Sequence, residues 1–259
     1  MPNEPKIDLL KAYVDEGDGD SFFRLQVDGR SIKYLTIEPG LYSVEDMRFG
    51  PALTSLLPEF PPGDWNDGLL PSVERLWHRT YVDYADIVVG NRVHTGIYEV
   101  TCPQFDRPVL AKLASEFEIG YLESEATAYE WIDGYDIGPR FLGHLTEGDR
   151  VIGFLTERIT NAQHAGPGDL AACQQVLGRL HQLGIRHGDI NRFNFLIRGS
   201  EAVLIDFDSA MKCDDQDALR EESEASLGSL QDTSMGKGTY SSRMNSSFFR
   251  LVERICSTL

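Results

Sequence analysis

Hydrophobic and polar positions alternate with period two in several short runs along this chain, and that rhythm predicts strands. Residues 22–27 and 31–37 flank Asp28-Gly29-Arg30. An Asp-Gly pair between alternating runs predicts a hairpin. Three antiparallel strands are expected at 86–89, 96–101 and 109–113, and a buried strand at 151–156 leads into a hinge at Glu157-Arg158-Ile159. Two more strands, 195–197 and 202–205, are joined by the turn Arg198-Gly199-Ser200-Glu201. Elsewhere the period lengthens to that of a helix. Leu122, Ala126, Tyr129 and Asp133 mark one face of a helix over about 115–133, ended by Gly134 and Gly138-Pro139. Leu170, Cys173, Leu177 and Leu180 form the buried stripe of a helix over 169–183, stopped by Gly184.

Three further segments have a different character. Residues 57–65 are too rich in proline for a helix or central strand and are expected to lie extended, anchored by Phe60 and Trp65. Residues 214–224 predict a strongly acidic helix, expected to turn away as a solvated surface element. Phe248, Leu251, Val252, Ile255 and Leu259 form an apolar stripe expected to dock on the larger, helical part of the molecule. The predicted class is α+β, with an extension over 1–85, a strand-rich part over 86–159 and a helical part over 160–259.

Composition narrows the function. A chain of 259 residues with 41% hydrophobic and 25% charged positions is that of a globular protein with one substantial core or two small ones. Its net charge of −17 repels phosphate backbones and anionic lipid, so nucleic acid and membrane surfaces are not expected partners. The start Met-Pro-Asn-Glu-Pro-Lys leads into no apolar segment, and no run suits a membrane span, so a cytoplasmic or nuclear protein is expected. Cys102, Cys173, Cys213 and Cys256 are widely spaced without a C-x-x-C pair, which argues against structural zinc.

The chemistry concentrates in His187-Gly188-Asp189-Ile190-Asn191-Arg192-Phe193-Asn194, followed by Ile205-Asp206-Phe207-Asp208. A carboxylate, an amide five residues on and a second carboxylate after a short hairpin form a layout for phosphoryl transfer: Asp189 orients an attacking hydroxyl, while Asn194 and Asp206 hold magnesium against nucleotide phosphates. The hairpin would bring Asn194 and Asp206 to one mouth. His187 reads as a hydrogen-bonding brace and His181 as a structural histidine behind the loop. Arg192 is either a source of positive charge for a transferring phosphate or an ordinary solvated arginine. Lys112 sits in an alternating apolar run, where its ammonium needs a partner or an anion. Glu125 is the chosen partner and Glu123 the reserve. Gly90 and Gly96 bracket the first turn at nearly the spacing of a nucleotide-covering loop, with Val93-His94-Thr95 at its tip.

From about 86 to 211 the chain resembles the protein-kinase-like superfamily, above all its small branches: aminoglycoside and choline kinases and RIO-type kinases. These carry HGD where regulated protein kinases carry HRD, and several carry IDFE or IDFD in place of DFG. It also resembles a set of fungal kinase-like proteins, some of them labelled alpha-galactosidase A. The resemblance implies a bilobal protein-kinase-like fold with an antiparallel-sheet small lobe and a reduced helical large lobe. It also implies ATP and Mg2+ as cofactors and a hydroxyl acceptor on a small molecule or protein. By it, Lys112 oriented by Glu125 grips the phosphates, Gly90 and Gly96 belong to the loop above them, and the backbone of Glu157 and Ile159 meets the adenine. There is no Ala-Pro-Glu element, and Gly188 stands where an arginine would bind an activating phosphate. Asp208 replaces the flexible glycine after Asp206-Phe207 and implies a fixed magnesium aspartate. A catalytically weak or inactive kinase-like scaffold is the alternative. Glycoside hydrolysis by a (β/α)8 barrel is disfavoured, because residues 1–85 lack the repeating strand-helix rhythm.

Overall fold

Asp28 and Gly29 adopt φ angles of 52° and 71°, the left-handed pair that lets a tight turn follow the right-handed twist of its strands. The computed structural model describes residues 6–29, 31–56, 72–113, 119–148 and 150–231. Around that turn, β2 (Ser21–Val27) and β3 (Ser31–Ile37) pair antiparallel, with Val27 opposite Ser31. A strand not anticipated from the pattern, β1 (Ile7–Tyr13), adds to β2 with a bulge between Leu9 and Lys11. Two short helices, α1 (Val44–Arg48) and α2 (Gly50–Leu56), cover this sheet. Ser43 caps α1 by accepting the Asp46 N–H at 3.1 Å. Met47 and Leu53 meet Phe23, Leu25 and Ile37 in a core.

The second sheet contains β4 (Tyr81–Asp83), β5 (Val88–His94), β6 (Ile97–Thr101), β7 (Val109–Leu113), β8 (Phe141–Glu147) and β9 (Arg150–Thr156) in the order β4-β8-β9-β7-β6-β5. All neighbours are antiparallel except β4 and β8. Val82, Val100, Val109, Ala111, Leu145 and Leu155 form its buried face. Strand β8 was not anticipated: Phe141, Gly143, His144, Leu145 and Glu147 are all buried, so the run lacks the alternation of a half-exposed strand.

The expected glycine-bracketed loop is a tight hairpin. Gly90 lies within β5, and only Thr95 and Gly96 form the turn, so Val93 and His94 are strand residues rather than the tip. Gly96, at φ 71°, supplies the left-handed residue, and a Cβ there would stand 2.9 Å from the Leu113 carbonyl oxygen. Arg92 secures the tip through the His94 carbonyl at 3.1 Å and the Thr95 hydroxyl at 2.8 Å.

The two sheets are tied through one carboxylate. Glu147, 6% exposed, accepts from Tyr34 Oη at 2.6 Å, pairs with Arg150 at 3.1 Å and pairs with Arg24. Arg24 stacks over Tyr84 and Arg150 over Tyr34. Burial disfavours the Arg24 charge, but Glu147, Tyr34 and Tyr84 together outweigh it and the guanidinium pKa is raised.

Two compact units divide the chain: Met1–Glu123 with Phe141–Arg158, and Ser124–Arg140 with Ile159–Leu259. Residues 6–56 and the six-stranded sheet therefore share a unit, and the expected boundary at 85 and 86 falls inside it. Helix α3 (Ile119–Ile132) contributes its first residues to one unit and the rest to the other. Leu122, Ala126 and Tyr129 are buried as the stripe predicts, whereas Asp133 lies beyond the helix end and is exposed.

In the second unit, α4 (Leu170–Gln182) buries Cys173, Val176, Leu177 and Leu180, and Gly184 follows it at φ 64°. Strands β12 (Phe195–Arg198) and β13 (Glu201–Leu204) form the expected hairpin, joined by β10 (Gln163–His164) at the β12 edge. Strands β11 (Ile185–Arg186) and β14 (Met211–Lys212) make a second small pair, and α5 (Gln216–Gln231) packs on α4. The expectations for Phe60, Trp65 and the stripe from Phe248 to Leu259 lie outside the described residues. Among the described residues, no helix is long and apolar enough to cross a membrane. The class is α+β.

Two measurements check this account. Replacing Glu147 by Ala leaves two half-buried guanidinium groups without their carboxylate, and the expected loss is about 3–5 kcal/mol in chemical denaturation. His144 is fully buried and accepts the His78 N–H at 3.4 Å. Burial, with a smaller contribution from His78, lowers its pKa to about 4. The unfolded chain therefore takes up this proton first. Stability falls as pH drops from about 6.5 towards 4, by about 3 kcal/mol from this residue, and His144→Phe should flatten that slope.

Candidate functional site

The loop from His187 to Asn194 is shaped by its own side chains. Asn191 accepts the Phe193 N–H at 2.9 Å, starting a single 3-10 turn over Arg192–Asn194, and donates to Asp189 Oδ2 at 3.2 Å. Asn194, 1% exposed, donates from Nδ2 to the Asp189 carbonyl at 2.8 Å and to Asp189 Oδ2 at 3.2 Å. The amide nitrogen is thereby turned towards Asp189, and the amide oxygen is turned away from it.

Hairpin register brings in the second carboxylate. Phe195 pairs with Leu204, and the Ile205 N–H donates to the Asn194 carbonyl at 3.0 Å. Asp206 follows directly, so Asp189, Asn194 and Asp206 gather at one end of the hairpin. Asp206 has φ 64°, a left-handed conformation that costs a non-glycine residue of order 1–3 kcal/mol and is held only where its surroundings over-determine it. They do so here. His187 Nε2 meets the Ile205 carbonyl at 3.1 Å, Phe207 is fully buried against His187 and Tyr129, and Ala210 N–H closes a turn onto the Phe207 carbonyl at 3.0 Å. The left-handed residue is Asp206 itself, not the one at 208 where the motif's glycine would stand.

Gly188 has a local cause. Its φ is 85°, and a Cβ there would collide with the Ser209 carbonyl oxygen, so neither arginine nor any other side chain fits. Its N–H, and that of His187, point at one acceptor. Glu222 of α5 takes the Gly188 N–H on Oε1 at 2.7 Å and the His187 N–H on Oε2 at 3.0 Å. His181 meets Glu222 Oε2 at 2.8 Å and is met in turn by the Ser223 hydroxyl at 3.2 Å. Burial works against the Glu222 carboxylate, yet the bonds from His181, Gly188 and His187 outweigh it and hold its pKa below the usual glutamate value. Burial lowers the His187 pKa, keeping that imidazole neutral.

This corrects the expectation of a solvated acidic helix. Asp217, Arg220, Glu221 and Glu224 are exposed, but Leu219, Glu222 and Leu230 are buried. Glu222 follows Leu219 by one helical step on the stripe that Leu230 also occupies. A carboxylate on an apolar stripe was the legible signal, and the surrounding acids masked it.

The remaining candidates are distributed between the units. Lys112, half-buried in β7, lies opposite Ile97 and Phe154, in the first unit with Gly90, Gly96 and Glu157. Glu125 and Ile159 belong to the second. Of the two candidate glutamates on α3, Glu125 is 2% exposed, while Glu123 accepts the Arg75 N–H at 3.2 Å.

Two carboxylates and an amide oxygen are hard oxygen donors of the kind that suit Mg2+ or Ca2+ rather than zinc. Among the described residues, no group of three or more His, Cys, Asp and Glu side chains converges as a metal site. A magnesium ion needs only one or two protein carboxylates, because substrate phosphates and water complete its shell, so the residues fit such an ion. No protein-family model matches the chain, and no curated protein matches it.

Glu222→Ala should destabilise the protein by about 3 kcal/mol, since it orphans two backbone donors and His181, whereas exposed Glu221→Ala should cost less than about 0.5 kcal/mol. The carboxylate's pKa is depressed, so its contribution is complete above the ordinary glutamate value and lost as pH falls through the folded one. Denaturant titrations at pH 7 and pH 4 read both effects.

Proposed function

We propose that the protein is an ATP- and magnesium-dependent phosphotransferase, of a reduced bilobal kinase-like form, acting on a hydroxyl of a small molecule or a protein side chain. The observation that carries this reading is the gathering of Asp189, Asn194 and Asp206 at one hairpin end, with the Asn194 amide nitrogen committed to Asp189. The order of elements also supports it: antiparallel strands, a lysine-bearing strand, a helix and two strands precede a helical unit that carries the loop.

Asp206 and the Asn194 amide oxygen would hold magnesium. When bound, Mg-ATP supplies the phosphoryl group, and its metal neutralises developing charge. Asp189 orients the acceptor hydroxyl and takes its proton, held by Asn191 and Asn194 so that little reorganisation is left for the reaction itself. Lys112 is assigned to the nucleotide phosphates, with Glu125 as its orienting carboxylate. Glu222 acts indirectly, by fixing the backbone of the loop. The tight turn at Thr95 and Gly96 favours the second reading, a kinase-like scaffold, because so short a hairpin offers few backbone donors to phosphate.

Thermal shift with and without Mg-ATP tests binding, and turnover of radiolabelled ATP tests activity. A ligand at about 100 times its Kd adds roughly 2.7 kcal/mol to stability. Asp206→Asn should lose the magnesium-dependent part of ATP binding, because an amide is an uncharged ligand. Asp189→Asn should bind Mg-ATP nearly as the wild type does and lose turnover by about a hundredfold or more. Wild-type protein that binds no nucleotide under any metal condition would replace the enzyme with the scaffold.

A further inference from the structure

Arg192 is the only lysine or arginine between His187 and Asn194. It starts the 3-10 turn that ends at Asn194. With three residues per turn, side chains two positions apart in such a turn leave on different sides. Asn194 points inward to Asp189, so Arg192 leaves on another side of the loop. Its guanidinium carbon stands 5.2 Å from the centre of the Phe193 ring, and that ring meets His164 of β10 edge-on at 5.5 Å. His164 is itself exposed.

The hydrogen bonding of Arg192 is incomplete. Its Nε is buried and has no hydrogen-bond acceptor among the described residues. A buried donor without a partner is costly and uncommon in a native protein. In a chain with 41 acidic residues against 24 lysines and arginines, a guanidinium whose buried Nε finds no acceptor among the described residues is suited to an external anion. Asn191 does not compete for this role, since its side chain is engaged by Asp189 and the Phe193 N–H.

We propose that Arg192, backed by Phe193 and His164, is an oxyanion-binding subsite on the loop that carries Asp189, and that the acceptor is a small alcohol carrying a phosphate or carboxylate group. This rests on the phosphotransferase reading for the word acceptor, but not for the anion site itself. A guanidinium fork matches both oxyanions, and a flat ring beneath it favours a planar cation over an ammonium. The charge of −17 disfavours an acidic protein as the source of the anion, because long-range repulsion opposes a large polyanion more than a small one.

The test titrates the full chain calorimetrically with inorganic phosphate and, separately, with acetate. Each titration is run with and without saturating magnesium and a non-hydrolysable ATP analogue. Wild-type protein should bind at least one of the two anions with the nucleotide analogue present. Arg192→Gln should weaken that binding by about tenfold or more, and Arg192→Lys by less, because the charge remains while the fork is lost. Nucleotide affinity should change by less than about threefold in both variants, a small fraction of the loss expected at the anion site. The stronger of the two anions identifies phosphate or carboxylate as the group recognised. Absence of anion binding by the wild type, or unchanged binding by Arg192→Gln, overturns the proposal. Loss of nucleotide affinity in Arg192→Gln overturns it too, assigning the guanidinium to the transferred phosphate. If the wild type binds no nucleotide but still binds an anion through Arg192, the phosphotransferase reading fails and the anion site stands. Circular dichroism checks that the variants fold. Should Arg192→Gln not fold, Arg192→Lys and Phe193→Leu provide the same comparison, each expected to weaken anion binding.

Discussion

The carboxylate of Glu222 is the contact on which the loop of the second unit depends. Two backbone N–H groups of the HGD segment have no helix or strand to receive them, and Glu222 accepts both. It is buried, so each bond is stronger than it would be in water, and the loss of either would leave a donor stranded. His181 and Ser223 extend the network into α4 and back to α5. The acidic helix is therefore structural at one position and solvated at its neighbours.

Strain and support occur together at the other end of the loop. Asp206 is held left-handed by the hairpin register before it and by the buried Phe207 after it. Gly138 approaches Phe207 so closely that an added Cβ would stand 2.8 Å from its ring. Close packing of this kind allows few alternative placements of the Asp206 carboxylate. The first unit uses a comparable device in Glu147, where one buried carboxylate gathers Arg24, Tyr34 and Arg150 from two sheets. In both places a buried anion organises segments far apart in the chain.

Much of this was legible before folding, because it depends on neighbours in sequence. The Asp28-Gly29 turn, the hairpin of β12 and β13, the buried stripe of α4 and the adjacency of Asn194 and Asp206 follow from period, turn chemistry and strand length. The β8 strand was not legible, since burial on both faces removes alternation. The tight turn at Thr95 and Gly96 was not legible either, because glycine spacing does not say whether a strand continues through Gly90. Asp133 fell on the predicted face, but the helix ended before it.

By itself the sequence determined which residues could carry chemistry and in what order: a carboxylate, an amide and a second carboxylate on a short hairpin, with one arginine, Arg192, between the first carboxylate and the amide. Tertiary structure decided what those residues rest upon. Glu222 lies far along the chain from Gly188, and no local period connects them; only the packing of α5 on α4 brings that carboxylate to the two N–H groups. The requirement for glycine at 188 is likewise visible only when the Ser209 carbonyl is seen against it. Short-range pattern specifies elements because backbone geometry repeats, whereas partners across the fold are chosen by burial, where an unpaired charge or donor costs too much to leave unmet.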